Sequence, residues 1–175
     1  MTPIEATQHW LQQAVIGLNL CPFAKAVHTK GQIRWVQSGA RDTAALLADL
    51  QRELLALAAA DPAAVETTVL VHPGVLTDFL DFNDFLGEAV ALLHDLGLEG
   101  VLQIASFHPG YRFAGTRRDD ISNYSNRSPH PTLHLLREDS ITRAVAALPE
   151  AGDIYERNIE TLRRLGKRGW QLLFP

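Results

Sequence analysis

Cysteine is almost absent from this sequence. The 175 residues include one, Cys21, so no intramolecular disulfide can form and the composition suits a reducing compartment. Excess positive charge is missing too: 16 Lys and Arg stand against 20 Asp and Glu, a formal net charge of −4. Nucleic-acid backbones are held by a basic face, so a nucleic-acid partner is not expected. No apolar run approaches the ~18 residues of a membrane span. Met1-Thr2-Pro3-Ile4-Glu5-Ala6 has neither the basic flank nor the apolar stretch of a secretory signal. These absences lead to the expectation of a cytoplasmic protein with no membrane partner. A glycine-rich phosphate loop is lacking as well, which disfavours a nucleotide site of the common kind.

What is present suits a globular chain. Hydrophobic residues make up 46% and charged residues 21%, and the length fits one domain able to bury a core. Thr2-Pro3 reads as a helix start, and Ala6, Trp10, Ala14 and Leu18 follow at helical spacing until Pro22 stops the helix near Asn19. Ile33 to Gln37 alternates as a strand does, and Ser38-Gly39 ends it. Asp42 or Thr43 opens a helix through Leu46, Leu50, Leu54 and Leu57, ended by Asp61-Pro62. Thr67 to Val71 is a β-branched run of the buried-strand type. Thr77 or Asp78 opens the next helix, with Phe79, Phe82, Leu86, Val90 and Leu93 inward, and Val101 to Phe107 is the next strand. Thr132 to Arg137 reads as a short strand, Ile141 to Leu148 as a helix, and Gly152-Asp153 as the opening of a last helix. Strands alternating with helices imply a single α/β domain over 1–175, with a mainly parallel sheet of three or four strands.

One ending occurs twice. Val71-His72-Pro73-Gly74 and Phe107-His108-Pro109-Gly110 close two strands in the same way. Proline keeps the histidine before it extended, and glycine permits a sharp exit. On parallel strands both imidazoles would emerge at the carboxyl edge, where open α/β sheets bind ligands. Turn chemistry alone also accounts for each copy, so His72 and His108 carry two readings: catalytic acid/base groups, or pieces of a turn.

The segment from Arg112 to Pro131 is long, polar and poor in core residues, as functional loops often are. It holds Arg112, Arg117, Arg118 and Arg127, together with Asn123 and Asn126. Guanidinium forks suit carboxylate or phosphate. Arg117 and Arg118 are assigned to surface pairing with Asp119 and Asp120. Arg112 and Arg127 are assigned to an anionic small molecule, with Asn123, Asn126 and Tyr111 orienting it. His130 and His134 share a face of any strand they lie on, so His72, His108, His130 and His134 form a candidate divalent-metal set, without the glutamate of the H-E-x-x-H pattern. Cys21 is a candidate nucleophile if a cation or imidazole lies beside it, and otherwise a small buried residue in a Leu-Cys-Pro-Phe plug.

Asn19-Leu20-Cys21-Pro22-Phe23-Ala24, Val71-His72-Pro73, Phe107-His108-Pro109-Gly110-Tyr111-Arg112-Phe113, and Asn126 to Pro131 running on through His134-Leu135-Leu136-Arg137-Glu138 are distinctive blocks. In these the chain resembles the bacterial family of domain of unknown function 1415 along nearly its whole length. The resemblance implies a stand-alone bacterial protein of about this size. It supplies no reaction, cofactor or catalytic residue.

Three functions follow as expectations. The leading one is a small enzyme acting on an anionic molecule at a histidine- and arginine-lined pocket, with metal dependence left open. The second is a non-catalytic binding module for a nucleotide or other anionic ligand. The third is an interaction module docking through the apolar tail, Trp170 to Pro175. Oligomeric state is left open.

Overall fold

The computed structural model describes residues 1–147 and 153–175. Capping explains where its helices start. The Thr2 hydroxyl accepts the Glu5 N–H while Glu5 reaches back to the Thr2 N–H, and Pro3 needs no partner at the first helical position, so α1 begins at once (Pro3–Trp10). It continues as a wider π-helical segment, Leu11–Ile16, and ends before Asn19, which takes a positive φ of 53°. A short helix not anticipated from the sequence, α2 (Ala24–Thr29), follows the Cys21-Pro22 turn. Asp42 caps α3 (Thr43–Ala59) by accepting the Ala45 N–H, and Asp78 caps α4 (Phe79–Asp95) by accepting from Leu80 and Asp81.

Between the helices lie β1 (Ile33–Gln37), β2 (Thr67–Val71), β3 (Leu102–Phe107) and β4 (Thr132–Arg137). The polar segment before β4 contains a 3₁₀ helix, Ile121–Asn126, capped by Asp120. β4 passes straight into α5 (Glu138–Ala147), and α6 (Ile154–Leu172) absorbs the first half of the anticipated apolar tail. Leu148 and Gly152, placed by sequence at a helix end and a helix start, lie outside the described residues.

The domain is α/β as expected, but the sheet is mixed rather than mainly parallel. Its order is β1-β2-β4-β3, with β1 and β2 parallel and β4 antiparallel to both neighbours. β1, β2 and β3 therefore run the same way, with β4 inserted between β2 and β3. Thr132 of β4 is opposite both Val71 and Phe107, so the last residues of β2 and β3 are level.

Alternation along the strands sorts the core into two layers. On one face Leu70, Leu102, Leu133 and Leu135 pack with Leu46, Leu50, Leu54 and Leu57 of α3 and with Phe82, Phe85, Ala89 and Leu93 of α4. Val90, expected inside, is 59% exposed, and Phe85 takes the buried place instead. On the other face Phe107 joins Trp10, Ala14 and Val15, with Trp170, Leu173 and Phe174 closing over them. Each fully buried Leu or Phe contributes about 1.5–3 kcal/mol by leaving water.

Candidate functional site

The two His-Pro-Gly endings lie at one sheet edge, as expected, and both imidazoles rest on the Phe82 ring of α4, at centroid distances of 5.7 Å for His72 and 4.9 Å for His108. Their hydrogen bonds show what holds them. Gly110 N–H donates to His108 Nδ1 at 2.9 Å, so the proton sits on Nε2, which donates to the Leu76 carbonyl at 3.0 Å. His72 Nδ1–H donates to the Val75 carbonyl at 3.1 Å, and its Nε2 is buried with no partner among the described residues. Val75 and Leu76 belong to the connection between β2 and α4, and Leu76 sits at φ 58°, a left-handed conformation costly for a branched side chain. The imidazoles thus pin a strained turn to the ends of β2 and β3. Burial holds the His72 pKa down to about 4 and lowers that of His108 as well.

The four-histidine metal set is not assembled. His134 alternates with the buried Leu133 and Leu135, so its ring lies on the opposite face of the sheet, 6.3 Å from the Phe107 ring. Its Nε2 is 2.6 Å from Thr67 Oγ1. That hydroxyl's one proton goes to the Leu135 carbonyl, so His134 is the donor. Burial takes its pKa to about 4. His130 is half-buried and follows Ser128, whose hydroxyl donates to the His130 carbonyl. Among the described residues no three His, Cys, Asp or Glu side chains converge in a way that would hold a metal ion.

Cys21 packs at the rim of the second core layer, against the cluster that holds Trp10, Ala14, Val15 and Ala24, and burial raises its thiol pKa. The neighbours that oppose the rise are the backbone amides of Phe23 and Ala24 rather than a cation or an imidazole. Its surroundings are those of a packing residue.

The polar segment is held together from within. Buried Asn123 accepts the Phe113 N–H and the Thr116 hydroxyl through Oδ1 and donates Nδ2 to the Arg117 carbonyl. Asn126 ties the segment to the sheet: Nδ2 donates to Ser106 O, and its own carbonyl accepts the His108 N–H. Tyr111 sits between Phe79 and Phe113, at 5.3 and 5.0 Å. These three residues, expected to touch a ligand, shape the loop that presents the arginines.

The arginines do come together. Arg112, Arg117, Arg118 and Arg127 line a depression of about 530 Å³ with Tyr124 and a single carboxylate, Asp119. Arg112 Nε–H donates to the Thr116 carbonyl at 2.7 Å, and Arg127 Nε–H to the Tyr111 carbonyl at 3.0 Å. Arg127 also donates to the Arg118 carbonyl and lies 4.6 Å above the Tyr124 ring. Asp119 is shared between Arg117 at 3.5 Å and Lys167 of α6 at 3.7 Å. Arg118, assigned from the sequence to surface pairing, is part of this lining.

Behind the Tyr124–Arg127 wall is a second cleft of about 600 Å³, built from both chain ends and the loop. Its aromatic lining is Trp10, His9, Tyr124, Trp170 and Phe174, with Tyr124 and Trp170 stacked at 5.3 Å and 17°.

With that geometry in place, comparison with known sequences adds one assignment. The family described as "Protein of unknown function (DUF1415)" matches residues 2–172. The chain belongs to the DUF1415 family. No curated protein and no solved structure matches it. The matched span covers all the elements described above, from α1 to α6, and the whole arginine depression, while the aromatic cleft also draws on Met1, Phe174 and Pro175 beyond it. Trp10 was read from the sequence only as part of a helical apolar spacing, and Trp170 and Phe174 only as part of the tail; His9 was assigned no role. No local pattern marks them as cleft walls, because their meeting depends on the two chain ends packing side by side.

Proposed function

We propose that this protein binds the anionic group of a small molecule, a phosphate or carboxylate, in the arginine depression. The observation carrying this reading is the lining itself: among the described residues, four guanidinium side chains surround one hollow with a single carboxylate, Asp119, which is shared between Arg117 and Lys167. Hydrogen bonds from Nε to backbone carbonyls orient Arg112 and Arg127 before any ligand arrives, which lowers the entropic cost of binding. Among the described residues no helix is long and apolar enough to cross a membrane.

Binding is favoured over acid/base catalysis at the histidines. His72 and His108 are tied to Val75 and Leu76, and neither lines the depression. The test is thermal unfolding with inorganic phosphate, pyrophosphate and citrate, for the wild-type protein and for Arg112→Ala and Arg118→Ala. A ligand at about 100 times its Kd adds roughly 2.7 kcal/mol to the folded state. We expect stabilisation of the wild-type protein that weakens with added salt and shrinks at least tenfold in apparent affinity in both variants. Equal stabilisation of all three proteins, or none of any, would sink the reading.

A further inference from the structure

The two hollows share a wall. Arg127 and Tyr124 line both, with the Arg127 guanidinium 4.6 Å above the Tyr124 ring and Trp170 stacked 5.3 Å away from that ring. The hollows, of about 600 and 530 Å³, meet at Tyr124 and Arg127, so one molecule lying across that wall can reach into both. They differ sharply in chemistry. One side offers cations; the other offers the rings of Trp170, Phe174, His9 and Trp10, with Pro109 and Pro129.

Building on the anion-binding reading, we propose that the two hollows are subsites of a single site for a phosphomonoester that carries a flat aromatic ring, of nucleoside monophosphate size. The phosphate goes to the arginine side. Four arginines against one carboxylate leave a multiple positive charge, which suits a dianion better than a single carboxylate. The ring goes to the aromatic side, where flat apolar walls offer stacking. Arg127 joins the subsites.

The experiment is a titration of the full chain with AMP, ribose 5-phosphate and adenosine, read by calorimetry and by tryptophan emission, since Trp10 and Trp170 both line the cleft. AMP is expected to bind at least tenfold more tightly than ribose 5-phosphate or adenosine, and to change the emission where ribose 5-phosphate does not. In Arg118→Gln, AMP and ribose 5-phosphate should weaken together. In His9→Ala and Phe174→Leu, AMP should weaken and ribose 5-phosphate should not. If ribose 5-phosphate binds as tightly as AMP and both depend on Arg118, the ring subsite is overturned and anion binding stands. If adenosine binds as tightly as AMP, the coupling of the subsites is overturned together with the anionic anchor. If none of the three binds, this proposal fails, while anion binding is judged separately by the phosphate, pyrophosphate and citrate series.

Discussion

His108 gives one ring nitrogen to a carbonyl and receives a backbone N–H on the other, and its worth to the protein lies in both bonds. Replacing it with alanine leaves the Gly110 N–H and the Leu76 carbonyl unanswered and releases a residue held in a left-handed conformation. A loss of about 2–3 kcal/mol is expected in chemical denaturation, with phosphate binding to the remaining folded protein unchanged. The buried imidazoles also make a pH prediction. His72 and His134 have pKa values of about 4 when folded, against about 6.5 in an unfolded chain. Between those limits the unfolded chain takes up protons that the folded one refuses. The stabilising effect of keeping them neutral is therefore complete above about pH 7 and falls away as pH drops from about 6.5 to about 4. Acidification through that window costs on the order of 3 kcal/mol at the buried His72, and less at His134, which is only half-buried. Denaturation midpoints at pH 7, 5.5 and 4.5 check the slope, and His134→Gln should make it shallower. An unchanged slope in that variant would count against the assignment.

At the scale of elements, the break in α6 makes the sharpest prediction. Gly166 has φ 70° and ψ 170°, a conformation open essentially to glycine alone, and a Cβ there would meet nothing within 4 Å. Gly166→Ala should therefore cost about 1–3 kcal/mol through backbone strain alone. The damage should fall on residues 167–175, seen as altered Trp170 emission and faster proteolysis of the C-terminus. Elements were largely legible from sequence. Apolar spacing and Asp caps locate α3 and α4, and β-branched runs locate β2. The misses have physical causes. Pro22 correctly signalled a stop, but α2 after it is only six residues long and shows no apolar period. Val90 was placed inside, but it stands five residues beyond the buried Phe85, and that step along a 3.6-residue helix moves a side chain off the buried stripe. The histidines were rightly placed at strand ends. The tie to Val75 and Leu76 was not legible, since it depends on the path of a turn. Four loop arginines were legible as an anion signal, but Arg118 was assigned away from it because two neighbouring aspartates offered a simpler partner.

Over the whole molecule, sequence alternation pointed to α/β layering but not to strand order, which is a matter of non-local pairing. The formal charge of −4 hides a local concentration of opposite sign. Because the proposed anion site is positive on an acidic protein, apparent phosphate affinity should fall steeply between low and physiological salt, where the screening length shrinks to ~8 Å. The insertion of β4 between β2 and β3 has a consequence for how the chain is made. β2 and β3 emerge from the ribosome well before the strand that joins them, so each must wait with an open edge until residue 137 is available. Sheets completed by such distant pairing form slowly, and unpaired edges invite association with other chains. A fragment ending at residue 128 should therefore aggregate or remain unfolded by circular dichroism, whereas one extended to residue 147 should recover sheet structure. During synthesis this protein is most vulnerable in the interval before its central strand arrives, when its demand for chaperones should be greatest.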